Sequence, residues 1–222
     1  MDYLLYVLLV SLLLASASLL VRTTYAKYVR IETRASKSAL EIVTEMKERH
    51  GLGNLNIVRV PGELTDHYDS RRKTIGLSTS NYNSSSVAGV AVAAHEMGHA
   101  IQDKEGYLFL RLRQGLGRIT IVANNISWVI IYLGFILWYL PLVYAGIACV
   151  AIVVLFDLVT LPVELDASRR AKNYLKSTGI YSEEELRGFS KVLKAAAFTY
   201  VASTLAGVLQ LIRLLGIVSR DD

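Results

Sequence analysis

The sequence predicts a mainly α-helical membrane protein of about four transmembrane helices, attached to a cytoplasmic region with a small β-sheet. Three observations predict it. Of 222 residues, 53% are hydrophobic and only 19% charged, a low charge content for a soluble domain of this size. Four apolar stretches approach the roughly 20 residues that cross a bilayer. The segments between them differ sharply in basic residues: fifteen Lys/Arg lie between Arg22 and Arg118, seven between Glu164 and Lys194, and none around Pro141. Basic loops stay inside, so both charged segments are assigned to the cytoplasm and the Pro141 hairpin tip and both termini to the outer side.

The elements follow in order. Residues 1–21 form an N-terminal anchor, charge-free from Tyr3 to Val21. Ala15-Ser16-Ala17 imitates a signal cleavage site, but the missing basic n-region favours a retained span. Residues 22–118 form the large cytoplasmic region. There Ile31, Ala35, Ala39, Ile42, Val43 and Met46 recur at helical spacing, and Gly51 and Gly53 stop that amphipathic helix. Asn56–Val60 and Lys73–Ser78 alternate as strands do, with turn-rich residues around Pro61-Gly62 and Asp66–Ser70 between them. Serines 84 to 86 supply the N-cap of a helix from Val87 to about Lys104, and Gly106 helps to end it. Residues 119–163 are a transmembrane hairpin with Asp157 inside its second arm, 164–194 a charged cytoplasmic helical segment, and 195–222 the last span, with Arg213 near its end.

Composition also excludes some classes. The lone Cys149 permits neither an internal disulfide nor a cysteine zinc site, so a metal must use His and carboxylates. The net charge of +5 forms no Lys/Arg run with interleaved aromatics, which argues against nucleic acid as a partner.

The chemistry concentrates in Ala93-Ala-His-Glu-Met-Gly-His-Ala-Ile-Gln-Asp103. On a helix His95 and His99 share one face and can share one tetrahedral cation, with zinc the default metal. Glu96 then stands beside the open coordination position as a general base for water attacking a carbonyl. The preceding run Val87–Ala94 is apolar, so the helix is a buried one in which polar groups need partners or a metal. Gly98 costs helix stability and offers room for another backbone or a substrate to come close.

Catalytic zinc usually has three protein ligands. The available third ligands are His50, His67, Asp157, Glu164 and Asp166; Glu164 is favoured because it stands where the third span re-emerges on the motif's side. Asp157 has a structural reading as well: a tight hairpin about Pro141 sets it level with Asn124, so that Asn124 or Asn125 can hydrogen-bond it across the helices. His67, beside Asp66 and Asp69, reads as a solvated or structural residue, or as a catalytic group that polarises the scissile carbonyl. His50 suits a helix C-terminus. Thr199, Ser203, Gln210 and Arg213 form one stripe on the last span that packs into the bundle. An exposed edge of strand Lys73–Ser78 would add a substrate peptide as a further strand.

Three stretches, Gly62-Glu-Leu-Thr-Asp-His-Tyr-Asp69, Ala91-Val-Ala-Ala-His-Glu-Met-Gly-His-Ala-Ile-Gln102 and Leu161-Pro-Val-Glu-Leu-Asp-Ala-Ser-Arg-Arg-Ala171, resemble the YugP-type neutral zinc metallopeptidases of bacterial membranes. The chain is also similar to the HtpX-type membrane metallopeptidases, whose ligand glutamate lies in a Glu-x-x-Ala-Asp pattern; here Ser168 occupies its last position. The resemblance implies a gluzincin-like peptidase with one zinc on His95, His99 and Glu164. The expected function is hydrolysis of peptide bonds in membrane or membrane-proximal proteins, in the bacterial inner membrane with the site on the cytoplasmic side. Two alternatives stand beside it: an intramembrane-cleaving protease in which the motif helix enters the bilayer and Asp157 completes the site, and a non-catalytic zinc-binding adaptor.

Overall fold

A computed structural model describes residues 3–219. Its elements are α1 (Tyr3–Tyr28), α2 (Ala39–Arg49), β1 (Asn56–Val60), β2 (His67–Asp69), β3 (Thr74–Ser78), α3 (Val87–Lys104), α4 (Leu108–Ile136), α5 (Leu140–Ser177) and α6 (Glu183–Val218). Four of them, α1, α4, α5 and α6, are long and apolar enough to cross a membrane. Contacts divide the chain into two compact units: the first holds α1 up to Ala15, Leu108–Pro162 and the chain from Tyr200; the second holds Ser16–Tyr107 and Val163–Thr199.

In the first unit α4 and α5 form an antiparallel hairpin around two glycines. A Cβ on Gly134 would lie 2.7 Å from the Val143 nitrogen, and one on Gly146 would lie 3.0 Å from the Ile131 nitrogen. Ile131, Val143, Ile147, Val150, Val154, Leu214 and Val218 make the unit's buried core. The hairpin tip is not Pro141. Trp138, with φ +53, turns the chain between the two helices, and Pro141 sits in the first turn of α5, where its missing N–H costs nothing. With Gly134 against Val143, the register differs by four residues from a hairpin centred on Pro141 and sets Asp157 level with Thr120 rather than Asn124. Asp157 is satisfied from α6 instead, where Ser203 Oγ donates to its Oδ2 at 3.2 Å. The same stripe of α6 packs inward further along: Tyr6 OH donates to Gln210 Oε1 at 2.5 Å, and the Arg213 guanidinium lies 4.9 Å from the Tyr6 ring centre.

The second unit is built around α3. Its Ala, Gly and Val residues let neighbours approach on every side, so fourteen of its eighteen residues are buried. Ile42, Val43 and Met46 of α2, Ile75 and Leu77 of β3, Ala171 and Leu175 of α5, and Phe189 of α6 pack into the same core. Burying an aliphatic or aromatic side chain stabilises by about 1.5–3 kcal/mol, and each of these residues larger than alanine contributes on that scale. α2 starts later than the hydrophobic spacing predicts. Ser36, at φ +50, breaks the chain, and the reciprocal Ser38 and Glu41 capping box fixes the first turn, which leaves Ile31 and Ala35 outside the helix. α1 continues past Val21 to Tyr28, because nothing between Arg22 and Tyr28 breaks a helix and Thr23 bonds back to the Leu19 carbonyl at 2.8 Å.

The sheet has the order β1-β3-β2. β3 runs parallel to β1, with Asn56 opposite Thr74, and antiparallel to β2, with His67 opposite Gly76. The expected free edge on β3 therefore does not exist: β3 is the central strand, and the edges belong to β1 and β2. β2 itself, read from sequence as turn, is a three-residue strand. Asp66 anchors it by accepting from the Ser78 amide and from Asn81 Nδ2, both at 2.8 Å, while Tyr25 OH donates to Asn81 Oδ1 at 2.8 Å.

Candidate metal centre

α3 begins where the Ser86 side chain accepts from the Gly89 amide at 3.1 Å, and it presents His95 and His99 on one face, one turn apart. α5 supplies the opposing residue, Glu164. Gly98 makes the meeting possible, since a Cβ there would stand 2.6 Å from the Ala167 carbonyl oxygen of α5. The room that Gly98 offers is thus filled by a backbone. No substrate is needed to explain the glycine.

Ligand atoms of His95, His99 and Glu164 lie within 4.8 Å of one another. Glu164 Oε2 is 3.2 Å from His95 Nε2 and 3.6 Å from His99 Nε2. Two ligands about 2.05 Å from a tetrahedral zinc are separated by about 3.3 Å, so Glu164 Oε2 stands close to coordination spacing from both imidazoles. The side chains of His95, His99 and Glu164 keep only 14%, 10% and 3% of their exposure. Three acceptor atoms that converge in so dry a place require a cation or a proton among them. The donor set, two imidazoles and a carboxylate, suits zinc.

The outer ring nitrogens are held as well. Ser168 Oγ lies 3.2 Å from His95 Nδ1 and Gln102 Oε1 lies 3.0 Å from His99 Nδ1. With each Nδ1–H donating outward, each Nε2 lone pair faces inward, the tautomer that metal binding needs. Gln102 is fully buried and its Nε2 donates to the Val163 carbonyl at 2.8 Å and to Asp166 Oδ2 at 2.9 Å. Asp166 is held in turn by Arg169 and by Arg170 Nε, at 2.5 Å from Oδ2, and Arg170 also meets Glu105 at 2.7 Å. Sequence reasoning had no role for Gln102. Its position on the His99 side of the helix, three residues on, is the one signal that points to it.

The same contacts also act on a proton at His99. Burial works against protonation of His99, but hydrogen bonding with Glu164, the Glu96 charge and the contact with Gln102 together raise its pKa. Glu96 itself is buried, at 8% exposure, and makes no hydrogen bond or ion pair among the described residues.

The other sequence candidates fall elsewhere. Asp157 is bonded by Ser203, and Asp166 faces Gln102 and the two arginines, so neither belongs to the three-residue group. His50 is the C-cap of α2, with its carbonyl accepting from Lys104 Nζ. His67 is exposed on β2, with Nδ1 2.9 Å from the Thr65 carbonyl and its ring seated over Gly76; the structure does not bring it into the group.

Over residues 3–219 the chain matches the family described as "Putative neutral zinc metallopeptidase". It is similar to the "Putative membrane protease YugP" of Bacillus subtilis (strain 168), with 36% identity over 204 residues that cover 91% of each chain. No solved structure matches it.

Proposed function

Since the chain belongs to the neutral zinc metallopeptidase family, we propose that it is a membrane-embedded zinc metalloendopeptidase that hydrolyses peptide bonds of membrane or membrane-proximal proteins. The observation that carries the proposal is the buried group of His95, His99 and Glu164, whose ligand atoms lie within 4.8 Å of one another, with the unpartnered Glu96 beside it. Zinc held by these three residues would supply Lewis acidity toward water and the scissile carbonyl.

The protein's own groups do the rest. Ser168 and Gln102 keep the two imidazoles in the binding tautomer. Glu96 accepts the proton of the attacking water and delivers it to the leaving amine. His67, exposed on an edge strand, is assigned the subsidiary part of polarising the carbonyl of a bound peptide. The name of the Bacillus subtilis relative and the four long apolar helices support a membrane protein. The unequal distribution of Lys and Arg supports a bacterial inner-membrane location with the site on the cytoplasmic side.

Purified protein carrying Glu96→Gln should keep one zinc per chain and lose cleavage by at least a hundredfold, within the range of general-base effects. Undiminished proteolysis by that variant would overturn the mechanism. His67→Ala should leave zinc content unchanged and lower kcat/KM; full turnover removes His67 from it.

A further inference from the structure

A groove of about 590 Å³ opens between α1 and α6 within the second unit. Lys27, Lys191 and Lys194 line it and no acidic residue does. All three lysines are exposed, and none has an ion-pair partner among the described residues. The ammonium of Lys27 rests 5.5 Å from the Tyr28 ring centre, a contact that positions the charge without neutralising it. Beside the lysines, Thr23, Thr24 and Tyr28 line it together with apolar side chains, of which Leu20 is 44% and Phe198 36% exposed.

The position along both helices supplies the second half of the argument. α1 is free of charge from Tyr3 to Val21 and carries Arg22 and Lys27 immediately after. α6 carries Lys191 and Lys194, and then no charge until Arg213. The groove thus falls at the change from polar to apolar sequence on both helices. If the apolar stretches cross a bilayer, that change marks the headgroup level. An acidic peptide would pair with the ammonium groups and leave Leu20 and Phe198 uncovered. Free phosphate would do the same. A phospholipid satisfies both parts of the lining.

We propose that this groove binds an anionic phospholipid, its phosphate held by Lys27, Lys191 and Lys194 and its acyl chains lying along Leu20, Ala195 and Phe198. The proposal rests on the membrane-spanning helices and not on the peptidase reading. A lysine near an anionic membrane surface is favoured by about fivefold, so three lysines around one phosphate give at least a preference of that size.

The test uses the full chain in detergent micelles, offered phosphatidylglycerol and phosphatidylcholine in equal amounts, with retained lipid counted by native mass spectrometry. The wild type should keep phosphatidylglycerol in preference by about fivefold or more. The triple variant K27Q/K191Q/K194Q should lose the preference, the charge-matched control K47Q/K172Q/K176Q should keep it, and K27R/K191R/K194R should retain it. Unchanged zinc content and Tm in the glutamine triple exclude simple misfolding. Wild-type retention by the glutamine triple, an equal loss in the control, or displacement of phosphatidylglycerol by an acidic peptide at matched concentration would each overturn the proposal.

Discussion

At Gln102 a single amide serves three partners: Oε1 faces His99, while Nε2 reaches the Val163 carbonyl and Asp166. Gln102→Leu keeps most of the volume and removes all three contacts. Loss of such a supporting partner typically lowers metal affinity by about 10–100-fold, and chelator competition should show a fall of that size. Gly98→Ala acts by a different route, because its new Cβ meets backbone, which cannot rotate away. Overpacking of this kind costs about 1–3 kcal/mol; thermal denaturation should show that loss, together with a zinc content well below one per chain. These two residues also mark what the sequence could tell. His95, Glu96 and His99 are legible because five consecutive positions on a helix define their geometry. Gln102 stands in the same stretch, three residues after His99, yet its other two partners lie 61 and 64 residues away, so that short spacing is the sole local sign of its task.

Among the elements, helix starts are defined by chemistry that can be tested singly. Ser38 accepts from the Glu41 amide and Glu41 answers by accepting from the Ser38 amide; Ser38→Ala should cost about 1 kcal/mol of stability in chemical denaturation. Ser182 and Glu185 repeat the arrangement at the charged start of α6, where Glu185 Oε1 also accepts from the Arg34 amide at 2.6 Å. Burial opposes ionisation of Glu185, but these hydrogen bonds outweigh it and hold the carboxyl below its usual range. A depressed folded-state pKa gives stability that is fully present above the unfolded value, about 4.3, and is lost as pH falls through the folded value. The Tm advantage of wild type over Glu185→Gln should therefore be full at pH 6 and shrink once the pH drops below about 4. Element legibility followed length. The long apolar helices and β1 were plain, whereas β2 was hidden because three residues carry too little alternation. The start of α2 was missed because a left-handed Ser36, not hydrophobic spacing, decides it.

For the molecule as a whole, the second unit gathers its ligands around one helix, so metal should act as part of its core. Removal of zinc by a chelator should abolish cleavage, and restored zinc should recover it. The same treatment should lower the Tm: a ligand present at a thousand times its Kd stabilises by about 4 kcal/mol, all of which is forfeited on chelation. The four-helix membrane layout could be read from composition, because apolar length is a property of the chain alone. The hairpin register could not, since it depends on Gly134 and Gly146 admitting neighbouring residues closely, and a four-residue shift was enough to exchange the partner of Asp157.

His95 and Glu164 are 69 residues apart, and α4 with its hairpin turn lies between them. Closing so long a span costs little more entropy than closing a short one, but it imposes an order in time. Synthesis must run past α4 and most of α5 before the carboxylate exists to meet the imidazoles. A nascent chain halted in the hairpin carries the complete His-Glu-x-x-His sequence and lacks the third ligand. The three-residue group therefore cannot assemble until nearly three-quarters of the polypeptide has been made.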